Sequence, residues 1–308
     1  MARLNIVHLK GVLLTAPITI TRKTDGKKFL RSNLLVSRGV REVENDLNGR
    51  FMTDKPYIMT TDERVIAQME NLQAYDIVSV KGVLTTKKVP KISICPECGI
   101  QNKVDGILTF LTPIFAEKTG EVKDDDDAIR YLNSIRQISN EVNIFGRLTR
   151  DPKKISPKTG LVVTQYQIAL NRNYIITDDP PELRADYPWV RSYGKDASED
   201  KKRLRKDSIV FIDGYIQTRN VNRHSNCAGC NAKYDWADKS MEIVPYDTEY
   251  IRNYNTDEEI EKAEKERLEQ IKRDIFNRDK EKAYYDFVTN EDIEAGIDAM
   301  EDDDDEDW

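Results

Sequence analysis

The chain repeats itself, and that repeat limits the folds open to it more than any other feature. Val7-His8-Leu9-Lys10-Gly11-Val12-Leu13 returns as Val142-Asn143-Ile144-Phe145-Gly146-Arg147-Leu148, with Gly11 and Gly146 separated by 135 residues. Pro17 and Pro152 share that separation, while Gly26 with Gly160 and Arg38 with Arg172 lie 134 apart. Further on the separation settles at 132: Pro56-Tyr57 falls on Pro188-Trp189, Gly82 on Gly214, Thr86 on Thr218, and Cys95 and Cys98 on Cys227 and Cys230. An ordered series with small drifts is what a duplicated domain with short loop insertions leaves behind. At 308 residues the chain has room for two such domains and further segments.

Each copy reads as strands. Residues 9–13 and 144–148 open the two copies, and Asp25-Gly26 and Thr159-Gly160 mark turns between apolar runs. Residues 29–36 and 161–170 mostly alternate in polarity. Residues 76–84 and 208–216 are the clearest strands, each interrupted by a glycine, Gly82 or Gly214. Such a glycine permits the bulge or sharp bend that a small closed barrel requires. Short helical stretches, 62–72 and 197–204, precede these strands. Three strands, a helix and two more strands is the order of an OB-fold, a five-stranded barrel. The expected chain is mainly β: a first barrel over 1–116, a linker with a short helix over 117–139, and a second barrel over 140–255. A charged helical segment over 256–288 and a disordered acidic tail over 289–308 follow. In the linker, Asp124-Asp125-Asp126-Asp127 stands ahead of Ile129, Leu132, Ile135 and Ile138, which recur at helical spacing. Acidic residues suit a helix N-terminus, so the run reads as a cap and linker rather than a metal site.

The net charge of -7 hides a division. Residues 256–308 hold 22 acidic against 8 basic side chains, which leaves residues 1–255 with a net of +7. A basic body attracts polyanions, and its acidic tail competes for the same surface or recruits a basic partner. The N-terminal stretch carries Lys10 and no long apolar core, so it reads as a first strand and not a signal peptide. No run approaches the roughly 18 apolar residues of a membrane span. The expectation is a soluble, cytoplasmic protein with no membrane partner, in a bacterial cell or a phage-infected host.

The second copy reads Trp189-Val190-Arg191-Ser192-Tyr193-Gly194-Lys195-Asp196-Ala197, then Lys206-Asp207-Ser208-Ile209-Val210-Phe211-Ile212-Asp213-Gly214-Tyr215-Ile216-Gln217-Thr218-Arg219. This resembles the bacterial and bacteriophage single-stranded DNA-binding protein family, whose pattern is a Trp and strand, aromatic-Gly-Lys-x-Ala, a helix, then a glycine-broken strand ending in Thr-Arg. The match covers roughly residues 140–219. The first copy is similar more weakly: it keeps Pro56-Tyr57, the glycine-broken strand and Thr85-Thr86-Lys87, and lacks the Gly-Lys element. The resemblance implies a non-enzymatic protein that coats single-stranded DNA in replication, recombination and repair. Members with one barrel per chain tetramerise, so two barrels per chain imply a homodimer or a monomer.

Sequence-tolerant binding of single strands needs aromatic faces for bases and cations along the phosphates. The resemblance points to Tyr174, Trp189 and Tyr193 as stacking or nearby aromatics, with Tyr57 the equivalent of Trp189 in the first copy. Arg172, Arg191, Lys195 and Arg219 flank them, with Arg38, Lys87 and Lys88 in the first copy. The family's last stacking tryptophan would fall near Val221 and Val89, where this chain has none. An RNA-binding or primosome-type OB module is equally basic and aromatic, and a zinc-dependent nuclease is the enzymatic alternative. Against the latter, His8 and His224 are the two imidazoles, and no phosphate-cradling glycine loop or paired-carboxylate motif stands in the barrels.

All four cysteines lie in two C-x-x-C pairs, Cys95 with Cys98 and Cys227 with Cys230, between the fourth and fifth strands of each copy. Two such knuckles suit a tetrahedral thiolate zinc site of structural type. Two layouts stay open: one site shared by the copies, or two sites completed by another chain or by local residues such as His224. A redox pair lacks its usual βαβ context, and a cytosolic disulfide is disfavoured.

The terminus, Met300-Glu301-Asp302-Asp303-Asp304-Asp305-Glu306-Asp307-Trp308, is too acidic to fold alone. An acidic run closed by a hydrophobic residue resembles the protein-recruiting tip of the same family, whose usual end is Pro-Phe. Trp308 beside a free carboxylate suits a basic-rimmed pocket on a replication or recombination protein, with the aspartates steering the encounter.

Overall fold

In the computed structural model the two copies lay down the same strands in the same register. The structure describes residues 4–23, 25–38, 51–155, 161–172, 174, 176 and 185–301, with side chains up to residue 280. The first copy comprises β1 (Asn5–Leu13), β2 (Ile18–Thr21), β3 (Lys28–Ser37), β4 (Thr53–Asp54), β5 (Tyr57–Thr60), α1 (Glu63–Met69), β6 (Asp76–Ile94) and β7 (Gln101–Glu121). After α2 (Asp125–Ser134) the second comprises β8 (Asn140–Leu148), β9 (Lys153–Ile155), β10 (Val163–Asn171), β11 (Ala185–Asp186), β12 (Trp189–Tyr193), α3 (Gly194–Arg203), β13 (Ile209–Asn226) and β14 (Lys233–Arg252). A separate compact unit, from Asn255 onward, holds α4 (Asp257–Glu301). The fold is mainly β and of the OB type in both copies.

Equivalent residues make equivalent pairings. Val7 stands opposite Gly82 in β1 and β6, and Val142 opposite Gly214 in β8 and β13. Each barrel closes with one parallel pairing, Ile58 with Leu111 and Val190 with Ile243. Register shifts fall between Lys81 and Gly82 in β6 and between Asp213 and Gly214 in β13. The reason for glycine is steric: a Cβ on either would lie 2.4 Å from a carbonyl oxygen, of Thr112 or Val244.

Alternation sends Leu9, Leu34, Ile58 and Leu111 into the first barrel, where α1 adds Val65, Ile66 and Met69. Ile144, Ile168, Val190 and Val210 fill the second. A single apolar core runs through both, because β1 and β8 pair antiparallel edge to edge. Val7 faces Val142 there, so the pseudo-twofold axis relating the copies passes between these two valines. Pairing the two edges removes two rows of open backbone groups that would otherwise invite foreign strands.

The Asp124 side chain accepts the Asp127 N–H at 2.8 Å and caps α2, as the acidic run predicts. The buried stripe is Ala128 and Leu132, packed on Val12, Leu35 and Ile77, whereas Ile129 and Ile138 stay exposed. The helix ends at Ser134, before the spacing expected from the isoleucines could operate. The strands also outrun expectation. β6 and β13 continue past Leu84 and Ile216 to Ile94 and Asn226, building two long hairpin arms with β7 and β14.

α4 begins with a reciprocal cap: the Thr256 N–H donates to Glu259 Oε2 at 2.9 Å, and the Glu259 N–H to Thr256 Oγ1 at 3.3 Å. Its apolar Leu268, Ile271 and Ile275 are exposed. The expected partner-binding residues Asp302–Trp308 lie outside the described residues. No described helix is long and apolar enough to cross a membrane.

Candidate nucleic-acid interface

Each copy reaches across the axis and fastens itself to the other by the same device. Arg172, at the end of β10, pairs with Asp186 at 2.6 Å, and both side chains are almost wholly buried. Asp186 also accepts the Thr86 N–H of the first barrel at 2.7 Å, and Thr86 Oγ1 accepts the Tyr187 N–H at 2.9 Å. The mirror set is Arg38 with Asp54 at 3.0 Å, the Thr218 N–H on Asp54 at 2.7 Å, and the Lys55 N–H on Thr218 Oγ1 at 3.0 Å. A buried carboxylate needs both a cation and N–H donors to offset its lost hydration. Arg38 and Arg172 therefore hold Asp54 and Asp186, the carboxylates that latch the barrels together, and Arg38 also lies 5.9 Å over the Tyr215 ring.

The latch of the second copy roofs a cleft of about 850 Å³ on the first barrel. Its apolar lining includes Phe29, Met59, Ile107 and Phe110, and the exposed ammonium groups of Lys87 and Lys88 edge it. The second copy contributes Arg172, Tyr174 and Tyr187 to the same cleft. The Tyr174 hydroxyl donates to Asp62 Oδ2 at 2.7 Å, which anchors it to the cap of α1. Arg64, on the same carboxylate at 2.9 Å, and this hydroxyl together hold Asp62 well below the usual carboxylate range. Burial and the Asp62 acceptor push the Tyr174 phenol up to about 12, so it stays a neutral donor. The cleft thus offers aromatic and aliphatic faces, a cationic rim and a fixed hydroxyl, which together suit a chain of bases and phosphates.

The equivalent face of the second barrel is built differently. Where the first has Met59, Phe110 and Lys87, the second has Arg191, Glu242 and Arg219. Glu242 is 2 % exposed; Arg219 reaches it at 2.7 Å and Arg191 at 3.3 Å. Tyr193 sits half-buried beside this cluster, and burial raises its phenol. Trp189 is half-buried at the start of β12, with the Arg150 guanidinium 5.3 Å from its ring centre. Tyr57 is half-buried at the equivalent start of β5, and Lys195 is exposed in the first turn of α3.

Of the residues singled out from sequence, Lys87, Lys88, Arg172 and Tyr174 converge on one cleft, and Arg191 and Arg219 converge on Glu242. Tyr57, Trp189 and Lys195 are absent from the cleft lining. Sequence reading missed Met59, Ile107, Phe110, Tyr187 and Glu242. Only Tyr187, an aromatic two residues before Trp189, carried a signal; the others look like ordinary alternation in a strand.

The hairpin arms cross at their tips and bring the four cysteines into one cluster. Lys91 pairs with Asp238 at 2.5 Å, Ser93 shares a hydrogen bond of 2.7 Å with the Tyr234 hydroxyl, and Asn102 accepts the Ala228 N–H at 2.9 Å. Cys95 lies 3.7 Å from Cys230, Cys98 lies 3.4 Å from Cys227, and all four sulfurs fall within 4.8 Å of one another. Tetrahedral thiolates around an ion at about 2.3 Å stand about 3.8 Å apart, so the cluster could hold one metal ion shared by the copies. The thiols of Cys227 and Cys98 are shifted in opposite directions. The N–H groups of Cys230 and Gly229 bring the Cys227 thiol down to about 6. Although the Ile100 N–H favours its thiolate, the Cys227 thiol and its neighbours push Cys98 up to about 12. The two-site layout is not what the arms build, and His224 pairs with Asp235 instead.

The model of the single-strand binding protein family matches residues 139–235. Single-stranded DNA-binding protein 1 of Staphylococcus aureus (strain MSSA476) is 36% identical over 81 residues, which are 26% of this chain and 51% of the relative. The single-stranded DNA-binding protein of Clostridium tetani (strain Massachusetts / E88) is 36% identical over 81 residues, 26% and 54% of the two chains. The matched stretch thus spans about half the length of these relatives. In overall fold, the crystal structure of the wild-type single-stranded DNA binding protein from Thermus aquaticus is similar with a TM-score of 0.53 and 17% identity. That likeness covers 82% of this chain and 95% of the other. The likeness to the single-strand binding protein family is thus carried by the second barrel.

Proposed function

We propose that the chain coats single-stranded DNA without sequence preference and performs no catalysis. The observation that carries this reading is the cleft on the first barrel, where apolar and aromatic side chains from both copies sit behind a lysine rim. The names of the staphylococcal and clostridial relatives agree with it. Its service would be to protect single strands in replication, recombination and repair, in the cytoplasm of a bacterial or phage-infected cell. Tryptophan-fluorescence titration with DNA and RNA oligonucleotides of one sequence and increasing length tests it. The expected result is tighter binding to DNA that weakens with salt. Equal or tighter RNA binding would replace it with an RNA-binding reading.

Zinc is the metal this reading assigns to Cys95, Cys98, Cys227 and Cys230. Four thiolates leave no open coordination position, so the ion would tie the two arms and not activate a substrate. Elemental analysis is expected to find one zinc per chain; a metal-free, fully folded protein overturns the assignment. The acidic terminus ending in Trp308 is the proposed recruiter of replication and recombination proteins. Deleting residues 301–308 is expected to leave DNA affinity equal or higher while abolishing their pull-down. With two barrels already joined along β1 and β8, a further assembly into a homodimer would use other surfaces.

A further inference from the structure

We propose that Glu242 is a resident counter-anion that closes the binding face of the second barrel, so that single strands engage this chain chiefly through the composite cleft on the first. The inference rests on the reading of the chain as a single-strand binder and concerns which half of it binds.

The starting point is the exact residue-for-residue equivalence of the two faces. Ile58 pairs with Leu111 as Val190 pairs with Ile243, which puts Phe110 and Glu242 at one position and Met59 and Arg191 at another. Lys87 and Arg219 share a third, one residue after the equivalent latch threonines Thr86 and Thr218. Both triads carry the same formal charge, +1. In the first barrel that charge is an exposed ammonium beside a wide apolar floor. In the second it is two guanidinium groups already bound to a buried carboxylate.

Binding differs accordingly. The exposed Tyr187 and half-buried Phe29 of the first cleft can take bases directly, with Phe110, 7 % exposed, completing the lining. Stacking is the sequence-tolerant source of affinity for single strands. A phosphate approaching Arg191 or Arg219 must instead compete with Glu242, which holds Arg219 through both carboxylate oxygens at 3.0 Å or less. Separating such a buried pair leaves an uncompensated carboxylate in the barrel wall, a strongly unfavourable state. Ile107 is also replaced on the second face, by Lys239, opposite Asn220 in β14. The charge of the two arginines is therefore satisfied internally, leaving Lys239 as an exposed cation where the first face has apolar Ile107.

The test compares the parent with Glu242→Gln and Phe110→Ala by fluorescence anisotropy on a labelled oligo-dT over a range of salt. Glu242→Gln is expected to tighten binding about tenfold. It should also steepen the dependence of log K on log salt by about 1.4, as two arginines become available to phosphates at about 0.7 each. Phe110→Ala is expected to weaken binding about tenfold. Unchanged or weaker binding by a folded Glu242→Gln protein overturns the proposal. Ultraviolet crosslinking of oligo-dT to the parent needs no variant. Crosslinks on Phe110, Tyr174 or Tyr187 support the proposal, and crosslinks concentrated on Tyr193 or Trp189 overturn it. A parent that does not bind single-stranded DNA would sink the functional reading itself, a result distinguishable from either of these.

Discussion

The two barrels share a backbone and differ in their faces. Pairing register, bulge positions, closing pairs and latches repeat from one copy to the other at equivalent residues. On the outer face the correspondence ends, with Met59, Phe110 and Lys87 in one copy and Arg191, Glu242 and Arg219 in the other. Barrel closure and core packing tolerate little change, because any added atom meets a carbonyl or a filled core. A position at the margin of the barrel wall tolerates exchange of an aromatic for a carboxylate, provided a partner offsets the buried charge. The comparison teaches that the copy closest to the family in sequence need not carry the more open surface.

That comparison can be broken most severely at the latches. Asp186→Ala and Asp54→Ala each strand a buried arginine, and each is expected to cost about 3–5 kcal/mol in urea unfolding. The Asp186 variant should lose more, because Arg172 is 4 % exposed and Arg38 16 %. A loss below about 1 kcal/mol for both would reduce the latches to surface ion pairs.

The opening strands offer a second contrast. A Cβ at Gly11 would lie 2.2 Å from the Leu35 carbonyl oxygen, while the nearest atom at Gly146 is Leu170 Cδ2, at 2.8 Å. A methyl group can turn away and a sheet carbonyl cannot. Gly11→Ala is expected to cost about 3 kcal/mol and Gly146→Ala about 1 kcal/mol in the same measurement. Equal costs would mean that the first barrel yields as readily as the second.

The helices differ in a buried group. Asp200 of α3 accepts the Tyr250 hydroxyl at 2.9 Å, and burial raises its carboxyl to about 6. The first copy has Gln68 there, whose carbonyl accepts the Ala116 N–H. A carboxyl raised on folding favours the protonated native state. Its contribution is complete below the unfolded value near 4 and is lost as pH rises through about 6. At pH 7 the ionised Asp200 costs about 3 kcal/mol. Asp200→Asn is therefore expected to raise the thermal midpoint at pH 7 and to flatten its fall between pH 4 and 7. A parent and variant with parallel pH profiles would contradict this.

The smallest expected contrast is between Trp189→Ala and Tyr57→Ala in DNA binding. Trp189 is half-buried and partly covered by Arg150, so its loss should weaken binding by about 1 kcal/mol, the low end of a stacking contact. Tyr57→Ala should change less. A tenfold or greater loss from Trp189→Ala would restore the second barrel as the main surface.

Much of this architecture was legible before any coordinates. The shared Gly11 and Gly146, the glycine-broken strands, and the matching C-x-x-C pairs announced two barrels of one kind. The arms were not legible, because beyond Leu84 and Ile216 the strands carry polar residues such as Lys87, Lys88, Asn220 and Asn222 and bury no continuous face. The face of α2 was legible in part: Leu132 and Ile135 pack inward, but small Ala128 is buried beside them and the larger Ile129 is left outside. Arg38, Arg172, Arg191 and Arg219 were visible as cations, but their carboxylate partners lie 14 to 51 positions away and no local pattern links them.

The sequence by itself determined the duplication, the order of the strands and the glycines at their bends. These follow from local sterics and periodicity, which act within a few residues. Only the tertiary structure decided that β1 meets β8, that four cysteines form one cluster, and that Tyr174 of one copy completes a cleft on the other. Those outcomes depend on contacts such as Asp54 with Thr218, 164 residues apart, which form once both barrels have closed and their edges have met.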